Sequence, residues 1–510
     1  MMQGRGKTYL KNAALLTASG LVLRVLGMMF RVFIAASLGS EGMGLYQLIL
    51  SVYTVFVSLA SAGINVASTR LAAQSLARGR GMAPTLWGLV TAAAGLGTLA
   101  MLGQFALCAP LAHYLLHDAR AELGLRMLAP SLPFVAVSGA LRGCFLARRR
   151  VEPNVLAQML EQVVRMGISL ALLRRYAAWG AGYGCAAVLL GNTASEAVSC
   201  LIMAMFAKGE PAFRRRSDDP ARGYARRELA AILLPVGGSR ILSSALQALE
   251  STMIPLCLAV YLGERGEAVA QYGALKGMAI PLIFFPFSVL AALSSLLMPE
   301  ITRAYTRKDQ AGCSRLIDAM MRATGLFSAL AGVALMLFGR ELAVLLYGDA
   351  QVGDYVRILG AIAPFMYLES MVDGVLKGLG EQMATFRYSV LDSCLRIGGI
   401  LLLVPRFGIY GFLGVMVLSN LLTCLLNTRR MLCRSAMRAN WGAWIGLPLL
   451  FAATGAGAAL WVSRLGWQGW PGLLLQGAAL CAGFCLPLGL LWQKNRAAFV
   501  LLTKRPRKAS

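Results

Sequence analysis

The sequence predicts an all-α membrane protein: about fourteen transmembrane helices, arranged as two six-helix lobes plus two C-terminal helices. Three observations carry that expectation. Of the 510 residues, 58% are hydrophobic and 14% charged, where a soluble domain carries roughly 25% charged residues. The charges, prolines and glycines punctuate apolar runs long enough to cross a bilayer, which takes about 20 helical residues; at roughly 35 residues per span and loop, about fourteen fit, with no room for a large soluble domain. Finally, basic residues crowd alternate loops.

Taken in order, the apolar runs place spans near 13–38, 45–70, 84–108, 125–146, 154–173, 181–206, 230–261, 272–298, 316–338, 355–377, 383–404, 409–428, 443–463 and 470–492. One set of loops carries Arg5, Lys7 and Lys11; Arg78 and Arg80; Arg148 to Arg150; Lys208 to Arg227; Arg303 to Arg315; and Arg429 to Arg438, with the tail from Lys494 to Lys508. The other set is sparse, with Glu41, Arg120, Arg174 and Arg175, Glu264 to Glu267, Arg340, Arg406 and Arg464. The positive-inside rule then places both termini in the cytoplasm, with an even number of spans. The first lobe is expected over 1–207, a basic cytoplasmic linker over 208–229, the second lobe over 230–430, and the last two helices and tail over 431–510. The linker, KGEPAFRRRSDDPARGYARRE at 208–228, is expected to be a solvated loop that touches anionic lipid.

The net charge of +26 does not point to nucleic acid, because the basic residues sit between spans and report topology. Eleven cysteines, including Cys108, Cys185, Cys200, Cys257 and Cys424, form no CxxC pair and are expected as small buried hydrophobes. His113 and His117 are spaced to share a helical face, but only Asp118 accompanies them, so no metal site is expected. No GxxxxGK[ST], GxSxG or HExxH occurs, which gives no support to an enzyme. Arg24 and Arg31 interrupt the first apolar run, which favours a retained span over a cleaved leader.

Two stretches repeat. Residues 129–173 run through Ala129-Pro130, Arg142-Gly143, Glu161 and Arg165; residues 363–404 run through Ala363-Pro364, Lys377-Gly378, Asp392 and Arg396. A weaker echo links Thr69-Arg70 with Thr302-Arg303. The copies hold the same place in their halves with the same orientation, which predicts a parallel pseudo-two-fold repeat.

A charge at mid-span costs about 2.5–3.5 kcal/mol on insertion scales, so such a group faces water or a partner. Arg24 and Arg31, at i and i+7, lie on one face of span one. Glu161/Arg165 and Asp392/Arg396 are i, i+4 pairs with the acid first, the favoured helical order. Arg240 stands in span seven with no acid one turn away, and Arg142 lies near a span end. These eight residues are the candidate cavity set. Glu250, Lys276, Glu369 and Asp373 are candidate coupling or counter-ion groups. Guanidinium suits a bidentate grip on phosphate oxygens, so an anionic headgroup is the expected cargo.

The run LRGCFLARRRVEPNVLAQMLEQVVR resembles the polysaccharide-biosynthesis branch of the multidrug/oligosaccharidyl-lipid/polysaccharide (MOP) exporter superfamily, among its stage V sporulation protein B-like members and the related lipid II flippases. Supporting stretches are GINVASTRLAAQ at 63–74, YGALKGMAIPLIFFPFSVLAALSSLLMPEIT at 272–302 and GIYGFLGVMVLSN at 408–420. Leu146-Ala147 and Glu250 depart from the Gln-Gly and Asp commoner in those relatives. The resemblance implies fourteen helices in two lobes around a central cavity, alternating access, and transport of undecaprenyl-pyrophosphate-linked sugars or peptidoglycan precursor, with Arg24 matching by position a cavity arginine. No cofactor is expected; Na+, H+ or the membrane potential would reset the cycle. Expected partners are the lipid-linked anionic saccharide and membrane lipid, with no nucleic acid, and the chain is expected as a monomer. A cation-coupled multidrug antiporter and a non-transporting scaffold for cell-wall synthases are the alternatives.

Overall fold

The computed structural model describes residues 2–61, 63–78, 82–213, 226–466 and 469–494. Most of the expected linker, 214–225, and the tail beyond 494 lie outside the described residues. The helices are α1 (Met2–Ser61), α2 (Ile64–Ala77), α3 (Ala83–Pro110), α4 (Ala121–Leu128), α5 (Ser131–Ala147), α6 (Glu152–Tyr176), α7 (Ala181–Gly209), α8 (Arg226–Leu262), α9 (Arg265–Tyr272), α10 (Ile280–Thr306), α11 (Gln310–Tyr347), α12 (Ala350–Gly360), α13 (Ala363–Gly378), α14 (Gln382–Ser435), α15 (Leu447–Ser463) and α16 (Gly469–Lys494). Wider π-helical turns occupy Leu111–Leu115, Gly273–Ala279 and Gly442–Gly446, and no strand occurs among the described residues.

Eleven described helical stretches are long and apolar enough to cross a membrane, twelve when the bent pair α12–α13 is taken as one span. Two of them are double. α1 leaves helical geometry at Gly39 (φ 69°) and α14 at Gly408 (φ 60°), a left-handed backbone that glycine adopts without steric cost. At 60 and 54 residues, each is long enough for two crossings of a ~30 Å core. The fourteen spans expected from sequence are compatible with this division.

The internal repeat has a structural counterpart. In the first copy the short α4 gives way to α5 at Pro130, the residue preceding α5's first turn. In the second, α12 meets α13 at a bend of 62°, with Pro364 in the first turn of α13. Proline lacks a backbone donor and suits a helix start, so the repeated Ala-Pro marks a helix junction in each copy, and the bend of 62° is in the second.

The chain forms two compact units. Unit 1 comprises Met1–Gly277 with Ser393–Phe412, and unit 2 comprises Met278–Asp392 with Leu413–Ser510. In unit 1 the elbow of α1 is pressed against the end of α9: a Cβ on Gly273 would lie 2.0 Å from the Ser40 carbonyl oxygen. Ser58 and Ser244 join the second half of α1 to α8 through a hydroxyl pair at 2.5 Å. In unit 2 the α15/α16 hairpin docks on α11 through Ala329, Phe451, Ala452 and Phe484. The buried Trp444 indole donates to Asp318 Oδ1 at 2.8 Å, which fixes the hairpin's entry.

Candidate functional site

Unit 1 holds a four-charge cluster inside its helices. Glu161 accepts from Arg142 Nη2 at 2.8 Å through one carboxylate oxygen and from Arg165 Nη2 at 2.7 Å through the other. Arg142 also donates to Ser199 Oγ at 2.8 Å, and Arg165 to Ser195 Oγ at 3.3 Å. Glu196 stands 3.7 Å from Arg165. The sequence pattern anticipated the Glu161/Arg165 pair, because acid and base one turn apart face the same way. It placed Arg142 at a span end, but the structure draws that side chain inward onto Glu161. It missed Glu196, whose signal was an acid within the apolar α7 with no base one turn away. Two guanidiniums and two carboxylates leave the cluster formally neutral.

A second cluster in unit 1 gathers residues distant in sequence. Glu250, in mid-α8, is buried; its Oε1 lies 3.3 Å from Lys276 Nζ and 3.8 Å from Arg396 Nη1. Lys276 projects from the π-helical turn Gly273–Ala279 and also sits 5.6 Å from the centre of the Phe412 ring. Such turns re-aim side chains within a helix and recur at functional sites. Glu250 lacks a base one turn away along its own helix, and its counter-ions come from other segments.

The remaining candidates lie in unit 2. Asp392 accepts from Thr423 Oγ1 at 2.9 Å and from Ser419. Asn427 donates to Glu369 at 3.1 Å, and Asp373 pairs with Lys377 at 2.5 Å.

Arg24, Arg31 and Arg240 behave differently. All three belong to unit 1, on α1 and α8; Arg24 and Arg240 are exposed and Arg31 is half-buried. Among the described residues, none of the three guanidiniums meets a carboxylate within 4.0 Å.

Two further charge clamps lie outside the spans. Arg120 grips Asp118 through Nη2 at 2.8 Å and Glu41 through Nη1 at 2.8 Å. Burial alone would raise the Asp118 carboxyl, but the Arg120 hydrogen bonds and charge hold it below the usual carboxylate range. Glu210 takes Arg148 at 2.5 Å and Arg150 on its other oxygen. There too burial opposes ionisation and the two guanidiniums overcome it, holding Glu210 low.

The expected helical face shared by His113 and His117 does not form. The helix ends before His117, which takes a left-handed backbone (φ 51°), and His113 stands 3.7 Å from Glu122. No metal-binding group is present among the described residues. Cys108, Cys185 and Cys257 are buried as expected, whereas Cys200 and Cys424 are partly accessible.

Comparison with known proteins places this chain among relatives in sequence and in fold. Stage V sporulation protein B of Bacillus subtilis (strain 168) is 27% identical over 429 residues, covering 82% of this chain and 83% of that protein. Sporulation protein YkvU of the same organism is 22% identical over 392 residues, covering 75% and 85%. Among solved structures, an inward-facing multidrug resistance MATE family transporter of the MOP superfamily gives a TM-score of 0.64 at 15% identity, covering 83% of this chain and all of that one. A MOP superfamily transporter from Pyrococcus furiosus Vc1 (DSM3638), whose description gives its binding pocket a reversed polarity, also gives 0.64, at 16% identity over 84% and 96% of the two chains. At such identities the likeness establishes the fold, that of MOP-superfamily transporters. Residues 9–303, more than half of the sequence, match the family described as polysaccharide biosynthesis protein, and this chain belongs to that family.

Proposed function

We propose that this protein is a flippase that moves an undecaprenyl-pyrophosphate-linked saccharide or peptidoglycan precursor, of the lipid II type, across the bacterial cytoplasmic membrane for cell-wall, spore-cortex or polysaccharide biosynthesis. The observation that carries this reading is the contrast between two kinds of in-span charge. The in-span acids Glu161 and Glu250 are each met by two bases, whereas Arg24, Arg31 and Arg240 meet no carboxylate among the described residues. A guanidinium without a counter-ion at bilayer depth is costly unless an anion or water meets it. Diphosphate is the anion that matches its planar donor fork.

The chemistry is non-covalent. The polyprenyl tail stays in lipid while the headgroup exchanges water for arginine contacts, and exposure of the site to the other side of the membrane then releases it. Release requires a weaker grip in the outward-exposed state, because a ligand bound equally in both states drives no change. The paired clusters around Glu161 and Glu250 would hold the helices that carry the arginines, and a Na+, a proton or the membrane potential would reset the cycle.

The test is reconstitution of the full chain into vesicles holding candidate undecaprenyl-pyrophosphate-linked precursors, with headgroup accessibility read on each leaflet. Wild type should equilibrate the headgroup between leaflets. Failure with every anionic precursor, accompanied by efflux of cationic drugs, would establish the antiporter instead.

A further inference from the structure

Unit 1 contains a cavity of about 440 Å³ where the ends of α5 and α7 meet the start of α6, within the ~300–1,000 Å³ typical of ligand pockets. Its lining is apolar at Phe145, Pro153, Ile202, Met205 and Phe206 and polar at one end of the chain segment that closes it, where Arg150 meets the buried Glu210. Phe145, at the floor, is buried and meets the Phe213 ring edge-on at 5.3 Å, while Met205 and Phe206 are exposed on α7. None of the residues assigned to the transport site lines it.

That end carries an excess of positive charge. Among the described residues, Arg148 and Arg150 lie on the turn after α5, Lys208 lies in the last turn of α7, and Glu152 and Glu210 are the acids beside them in sequence. Arg148 and Arg150 share the single Glu210 carboxylate, and Arg148 also lies over the Phe213 ring at 5.7 Å. A hydrocarbon-lined cavity with a guanidinium rim at the ends of membrane-spanning helices suits a ligand with an apolar tail and an anionic head. A soluble anion would leave the wall uncovered, and a zwitterionic lipid would leave the excess charge unanswered; basic clusters beside spans attract anionic lipid.

We propose that this cavity binds one anionic diacyl phospholipid, with an acyl chain against Phe145, Ile202 and Phe206 and the headgroup phosphate on Arg150 and Arg148. The phosphate competes with Glu210 for these two guanidiniums, so occupancy loosens the Glu210 turn.

The test uses the full chain, delipidated in neutral detergent and titrated with phosphatidylglycerol, phosphatidylcholine or glycerol 1-phosphate under native mass spectrometry. Wild type should bind phosphatidylglycerol at least ten-fold more tightly than phosphatidylcholine and should not retain glycerol 1-phosphate. The triple change Arg148→Gln, Arg150→Gln, Glu210→Gln removes the clamp without stranding an acid and should bring phosphatidylglycerol down to the phosphatidylcholine level. Ile202→Trp, which fills the cavity and leaves the charges in place, should weaken phosphatidylglycerol at least five-fold. Equal binding of the two lipids by wild type, glycerol 1-phosphate binding as tightly as phosphatidylglycerol, or an unchanged response in either variant would overturn the proposal.

Discussion

Glu250 shows what a buried carboxylate does in this chain. It faces Lys276 and Arg396, and removing one partner of a buried ion cluster leaves uncompensated charge, at a cost of about 3–5 kcal/mol. Glu250→Gln is therefore expected to lower the unfolding temperature in detergent markedly, and Glu250→Gln combined with Lys276→Met should recover part of the loss. A second residue-scale prediction concerns pH. Asp118 and Glu210 are held low in the folded state, so their stabilisation is complete above the unfolded values, roughly 3.9 and 4.3, and is lost as pH falls through the folded ones. Thermal stability should therefore drop below about pH 4, and Asp118→Asn with Glu210→Gln should flatten that drop. The in-span acids and bases were legible in the sequence because any charge in an apolar run is conspicuous. Their partners were legible only where one helix supplied both, as for Glu161 and Arg165. Lys276 is 26 positions from Glu250, and nothing in a linear pattern joins them.

At the scale of elements, the helices followed from apolar runs bounded by charge, and the breaks did not. Span ten was expected as one continuous run over 355–377, yet the chain bends by 62° between α12 and α13. The Ala-Pro pair marked the repeat without revealing the bend, because a proline in a first turn also starts ordinary helices. Close approach was equally silent. Gly273→Ala would drive a methyl into the Ser40 carbonyl, and since neither partner is a flexible side chain, the variant should unfold several degrees below wild type. The repeat also hides an inversion. In unit 1 the turn after α5 supplies Arg148 and Arg150 to Glu210 beyond α7; in unit 2 the turn before α14 supplies Glu381 to Arg430, at 2.6 Å, and Arg434, at 2.5 Å, near the end of α14. The same clamp is built with opposite polarity. Glu381→Arg should destabilise the protein in thermal melts, and adding Arg430→Glu should restore part of it.

At the scale of the molecule, composition together with apolar runs of span length made a multi-pass helical membrane protein legible, because 58% hydrophobic residues fall into stretches long enough to cross a bilayer. Ser393–Phe412, within the expected second lobe, packs with unit 1, a long-range association that no linear pattern marks. The proposed transport mechanism assigns the headgroup to Arg24, Arg31 and Arg240, and the most direct measurement is leaflet-resolved headgroup accessibility in vesicles containing the lipid-linked precursor, comparing wild type with Arg24→Gln, Arg31→Gln and Arg240→Gln at matched membrane abundance. Each single neutralisation should abolish headgroup movement while the protein stays folded and inserted; wild-type movement in all three would contradict the role given to these arginines.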